Sequence, residues 1–363
     1  MASRDQGGAN RPALVVVNLG VEKAPPPGES IRAWAQANDL SGMGDPEAAG
    51  RAAHKLLESG LLDLPLPGAG HTPERLEALV ALGSADCVLA RLAEGHADAL
   101  AILAELDGPA VTPGQLWGVW AAQPPGMAGL AAEPHGRSWL LHGEKPYCSG
   151  AGACDAALVT ATTPAGSQLF AVMLNREGVE AVDGSWPALG MGGSDSRNVR
   201  FAGVDAVPVG IAGAYLDRSG FWHGAAGVAA CWMGCSLGVA RALTRAASKR
   251  ELDPHALAHL GAVDGAVVAM RAVLLESARA FDEDPKDERG RAALIARRAR
   301  SVVEEGATAI LTRVGRALGA GPLTRDPAHA RRVADLTVYL RQSHGERDLL
   351  DHGRRLLECG IDW

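Results

Sequence analysis

The chain has 363 residues, 47% of them hydrophobic and 21% charged, with a formal net charge of −7. That length is ample for one to three domains around a sizeable core. Both charge signs are scattered and no basic stripe carries interleaved aromatics, which argues against a nucleic-acid partner. The six cysteines form no C-x-x-C pair and point to a reduced, cytosolic protein.

In chain order, the first twenty residues lack the basic start, long apolar core and cleavage site of a signal peptide. Residues 1–28, which end in a Pro-Pro-Pro-Gly run, read as marginally ordered. Helical patterning begins near Ser30, a candidate N-cap. A second helix is predicted over Asp45–Ser59, with Pro46 in its first turn and Gly60 past its end. A proline-punctuated loop follows. Thr72-Pro73-Glu74 opens a third helix, and Ala85–Leu106 supplies a longer one with apolar residues at helical spacing. Together these define a helical domain over residues 1–112.

The pattern then changes. Trp117 and Trp120 lie close together before a Pro-Pro-Gly turn, and short apolar runs recur at Ala156–Thr162, Gln168–Leu174 and Val199–Phe201. Gly, Pro, Asp or Asn punctuates the gaps, as in a compact antiparallel β domain, here residues 113–212. Asp205-Ala206-Val207-Pro208 is expected to end it, because proline cannot donate to a ladder.

Residues 213–363 read as a bundle. Phe221–Arg250, Pro254–Phe281 and Glu288–Leu318 are long helices, and a last one runs from Ala328 to about Arg355 after Pro327. The acidic run between Phe281 and Arg291 reads as a solvated turn. Ser219–Ala240 carries no acid, Lys or Arg, holds His223, and is long enough to span a membrane. Its Gly, Ala and Cys content suits burial on all sides of a soluble bundle instead, with Cys231 and Cys235 buried on one face as small apolar residues. The small-residue face Gly224, Gly227, Gly234 and Gly238 predicts bundle-to-bundle packing in a homodimer or homotetramer. The fold class is therefore α+β, mainly α.

Gly143, Lys145, Tyr147, Ser149, Asp155, Gly190, Met191, Ser196, Phe201 and Pro208 fall in order along about seventy residues. In that order and spacing the segment resembles the middle domain of the acyl-CoA dehydrogenase superfamily, and the flanking helices extend the likeness over nearly the whole chain. The resemblance implies a helical front domain, a middle β-barrel-like domain, a C-terminal four-helix bundle, bound FAD, and a substrate attached to coenzyme A or an acyl carrier.

It also implies site residues. One flavin-contact segment is matched by Trp120-Ala121-Ala122-Gln123-Pro124, with Ala122 and Gln123 where the family has Thr-Glu. The second is matched by Tyr147-Cys148-Ser149. A hydroxyl and backbone donors there suit the charge that arrives with a hydride; the bland alternative is a core aromatic and a serine satisfying its own backbone. Arg250 stands where the family has an arginine for the cofactor pyrophosphate, and Gly319 where glycines approach the adenosine half.

The family's catalytic glutamate is missing. No acid lies between Asp217 and Glu251, and Arg325 occupies the other position. The nearest candidate is Asp326, one place off and one methylene short, with an N-cap as its alternative role. In the last helix, His344 and Arg341 stand three apart, so that both can share a face; a histidine here resembles the flavin monooxygenase branch of the fold. No metal-ligand spacing is evident. Three readings follow: an acyl-CoA dehydrogenase-like oxidoreductase, a flavin monooxygenase, or a catalytically degenerate binding protein.

Overall fold

The computed structural model describes residues 25–127, 129–136 and 138–360. The reading of residues 1–28 as marginal lies outside them but for the last four. Four helices make the front domain: α1 (Pro27–Ala37), α2 (Pro46–Glu58), α3 (Thr72–Ala85) and α4 (Cys87–Glu105). α1 starts ahead of Ser30 because Pro27 takes a first-turn position, where its missing N–H costs nothing. Asp45 caps α2 by accepting the Ala48 N–H at 2.9 Å. Asp86 ends α3 and caps α4, accepting from Val88 and Leu89.

Seven strands follow: β1 (Trp117–Trp120), β2 (Ala131–His135), β3 (Ser138–Lys145), β4 (Ala156–Thr163), β5 (Gly166–Met173), β6 (Val179–Ala181) and β7 (Val199–Val209). Their order is β1-β4-β2-β3-β7-β5 with β6 on β7, and the extra β4–β5 pairing closes a barrel. The pairing is mixed rather than purely antiparallel. β1 and β2 both run parallel to β4, because the chain leaves β1, makes the β2–β3 hairpin and returns only after a long connection. β7 also continues through Pro208, which sits one residue from its end, where a lost donor interrupts little of the ladder.

The C-terminal part holds α5 (Ala214–Asp217), α6 (Gly220–Lys249), α7 (Pro254–Glu283), α8 (Ala292–Leu318), α9 (Gly321–Arg325), α10 (Pro327–Tyr339) and α11 (Glu346–Cys359). The acidic run before α8 is not merely solvated. Asp282 accepts from Gly70, Thr72 N–H and Thr72 O–H at 2.6–3.0 Å. Asp284 takes the Glu288 and Arg289 N–H groups and Asp287 that of Ala292. These acceptors hold residues 288–291 in a turn and delay the start of α8. The last helix is two: α10 ends in a 3₁₀ turn at Leu340–Gln342, and Gly345, at φ 54°, redirects the chain into α11.

One main core joins the front helices to the bundle, and a second fills the barrel. α6 lies at the centre of the first, largely buried as expected. Its small-residue face is used inside the chain, which corrects the intersubunit expectation. A methyl on Gly83 of α3 or on Gly234 of α6 would overlap the backbone of the facing helix, and Gly227 lies against Leu79. Small residues there let α3 and α6 approach to backbone contact. α7 is apolar to a similar degree but lies mostly at the surface.

Candidate active site

A cleft of about 370 Å³ opens between α4, α5, α6, α8 and α11. Glu94 and Asp98 line it from α4, Trp222 from α6, Arg297 and Arg300 from α8, and His344 from the turn before α11. The helix break at Gly345 is what sets His344 at this wall. The cleft-facing residues of α6, Phe221, Trp222, Gly224, Ala225 and Val228, carry no acid. Two guanidiniums are held rigidly: Arg297 lies over the Trp222 ring (4.9 Å) and Arg300 over Trp232 (4.6 Å). Arg300 also donates to the Ala225 and Gln342 carbonyls.

Glu94 is the least expected member. It is 5% exposed, and its Oε2 accepts from Arg91 Nη1 at 2.6 Å. Burial raises its carboxyl to about 7, helped by Asp98 and opposed by Arg91 and Arg75. Arg91 Nε donates to Ser149 Oγ at 3.2 Å, and Ser149 Oγ shares a 2.8 Å hydrogen bond with Ser196 Oγ. Ser196 bonds Ser194, Ser194 donates to the Met191 carbonyl, and Met191 N–H donates to Asp335 Oδ1 at 2.6 Å. A continuous chain of hydrogen bonds thus runs from α10, through the two loops singled out in the sequence, to a carboxylate in the cleft.

The predicted residues divide between core, surface and cleft. Trp120 is 1% exposed within the barrel core, its indole N–H donating to the Ser149 carbonyl at 2.9 Å. Cys148 is fully buried, its thiol pushed up by burial. Tyr147, at φ 58°, is 51% exposed and meets Trp186 edge-on. Ala121 is half-buried and Ala122 exposed at the free end of β1. Arg250 is exposed just past α6, and Gly319 closes α8 at φ 64° with open space around it. Arg341 pairs with Glu304 at 2.9 Å, and His344 Nδ1 lies 3.5 Å from Asp348. Their shared helix face does not exist: Arg341 lies in the 3₁₀ turn and His344 in the link after it. Asp326 caps α10 by accepting from His329 N–H and pairs with Arg245 at 3.3 Å, away from the cleft lining.

For a flat tricyclic ring, the exposed Tyr147 face and the free Ala121–Ala122 strand end offer a wall. The buried side chains of Trp120 and Cys148 offer it only backbone. The Ser149 hydroxyl is committed to Arg91 and Ser196, and its N–H to the Tyr147 carbonyl. The segment therefore fits a stacked ring and passes its polar connection to the cleft through Arg91. Arg91 and Glu94 were missed in the sequence; the available signal was an i,i+3 charged pair inside the mostly apolar run Cys87–Leu103, whose other polar side chains are His96 and Asp98.

The helical front domain, closed barrel and helical bundle make up the acyl-CoA dehydrogenase fold. No protein-family model matches the chain, and no curated protein matches it. Among solved structures it is similar to glutaryl-coenzyme A dehydrogenase in complex with glutaryl-CoA, at 17% identity over 92% of this chain and 95% of that one, TM-score 0.78. It is also similar to TdsC from Paenibacillus sp. A11-2 with FMN and indole, at 21% identity over 93% and 96%, TM-score 0.74. A third is methanesulfinate monooxygenase MsuC from Pseudomonas fluorescens, at 18% identity over 93% and 98%, TM-score 0.74.

Proposed function

We propose that the protein is a flavin-dependent oxidoreductase of acyl-CoA dehydrogenase type, holding FAD between barrel and bundle and acting on an acyl thioester. The observation that supports this best is the cleft, with a buried carboxylate and a histidine on its walls, joined by hydrogen bonds to the segment matching the family's flavin contact. A bound flavin supplies the two-electron acceptor. The chain's own residues do the rest. The exposed Tyr147 would stack on the ring, while on the cleft wall Arg297 and Arg300 would orient a thioester carbonyl and Tyr215, Phe221 and Trp222 would exclude water.

Arg250 and Gly319, exposed at the ends of α6 and α8, suit the pyrophosphate and adenosine of FAD presented by a second copy. The exposed Leu257, Val268 and Leu275 of α7 suit a bundle-to-bundle homo-oligomer. The free cysteines suit a reducing, cytoplasmic setting.

Purified protein with an oxidised-flavin absorption spectrum, bleached by an acyl-CoA without oxygen, is the expected result, and mass spectrometry of the released cofactor decides FAD against FMN. A colourless protein that takes up neither refutes the reading and leaves a binding protein. The second reading, a flavin monooxygenase, is favoured by His344 on the cleft wall and by the likeness to MsuC and TdsC. It predicts no bleaching by acyl-CoA, but oxygen uptake once an external reductase supplies electrons.

A further inference from the structure

We propose that Glu94 accepts the substrate proton in this cleft, serving from α4 in place of the glutamates missing from the bundle. The inference rests on the oxidoreductase reading above. Three observations support it. Glu94 is a buried carboxylate on the cleft wall. Its Oε2 is held by Arg91, while no hydrogen bond to Oε1 occurs among the described residues. That second oxygen keeps some accessible surface rather than lying sealed among apolar groups, so on the cleft wall it is open to a ligand.

The holder is itself fixed. Arg91 is locked by Ser149, Ser196 and Ser194 onto the Met191 loop, which Asp335 ties to α10. Such support keeps the reactive oxygen in one place, and about 1 Å of misplacement can cost ~100-fold in rate.

The groups facing Glu94 set its proton affinity. Arg75 on α3, Arg91 on α4 and Arg300 on α8 favour the anion, and Asp98 on α4 opposes it. Tyr215, Cys231 and Tyr339 stay neutral, their own ionisation suppressed by burial. With burial the largest influence, the carboxyl titrates at about 7, where a base combines adequate ionisation with adequate proton affinity.

The step balances. One C–H beside the thioester carbonyl is lost as a proton to Glu94 Oε1, and its electron pair forms the new C=C bond. With a flavin bound, the neighbouring carbon would give up its hydrogen with the bonding pair to that two-electron acceptor, which balances the oxidation of the substrate. The proton then leaves Glu94 for solvent.

The test uses the flavin-loaded full chain and its Glu94→Gln and Glu94→Asp variants, with acetoacetyl-CoA, whose α-carbon is acidic, as the probe. Wild type is expected to show the near-ultraviolet band of the bound enolate growing as pH rises through about 7. Glu94→Gln should keep its flavin and lose that transition, and turnover of a working acyl-CoA should fall by about 10²–10⁴-fold. Glu94→Asp should retain part of both. Difference infrared spectra of wild type should show two raised carboxyl bands, Asp335 near 6 and Glu94 near 7, and only the second should vanish in Glu94→Gln. A flavin-loaded Glu94→Gln with an unchanged enolate transition overturns this inference and leaves the function standing. So does a wild-type protein with no carboxyl titrating above the Asp335 band near 6. A colourless protein instead overturns the function, and this inference with it.

Discussion

Arg331→Met tests what joins the barrel to the helices. Arg331 Nη2 meets Asp86 Oδ2 at 2.5 Å and Nη1 meets Asp335 Oδ2 at 2.8 Å, with side-chain exposures of 17%, 0% and 2% respectively. Asp86 caps α4, and Asp335 holds the Met191 N–H, so one cation ties α4, α10 and the loop that leads to Ser149. Removing it leaves two buried carboxylates without their counter-ion. Breaking a buried pair this way costs about 3–5 kcal/mol.

Proton linkage adds a signature. Burial already raises Asp335 to about 6 from 3.8, so the native state holds that proton more tightly than the unfolded chain does. Its contribution is fully present below 3.8 and is lost as pH rises through about 6. Without the arginine the carboxyl moves higher still. The variant should therefore be penalised most at neutral pH and recover about 1–2 kcal/mol near pH 5, where Asp335 is protonated. Urea unfolding followed by circular dichroism at both pH values measures this. A neutral-pH penalty below about 1 kcal/mol, or an equal penalty at both, refutes the argument.

Gly234→Val should fail to fold or lower the thermal midpoint sharply, by at least about 1–3 kcal/mol of overpacking, since its Cβ meets the α3 backbone rather than a side chain that can move; a near-normal midpoint refutes the close α3–α6 approach. Lys145 is 1% exposed, donates to Thr160 O and Oγ1, and is lowered by burial to about 8. The native state thus binds this proton less tightly, and stability should rise between pH 8 and 10.5 in wild type but not in Lys145→Met; parallel pH profiles of urea midpoints would contradict it. His344→Ala removes a half-exposed imidazole paired with Asp348, and should change stability by less than about 0.5 kcal/mol. A change in turnover or in the flavin spectrum without a change in midpoint puts His344 in the site, and no change in either removes it.

The sequence alone determined the order of elements and the fold, because these follow from local signals. Pro46, Gly60 and Pro73 mark helix ends, apolar periodicity marks helix faces, and the Gly143-to-Pro208 positions mark the barrel. It could not say which faces meet. The glycine face of α6 reads the same whether its partner is a second copy or α3, and only packing decided for α3. The parallel pairing of β1 with β4 likewise depends on where distant strands land. The site divides in the same way. Tyr147 and Ser149 stood out through their local motif. Glu94 did not, because its burial, its Arg91 partner's bond to Ser149 and its place on the cleft join segments more than fifty residues apart. A carboxylate's proton affinity is set by everything packed around it, and that surrounding exists only once the chain has folded.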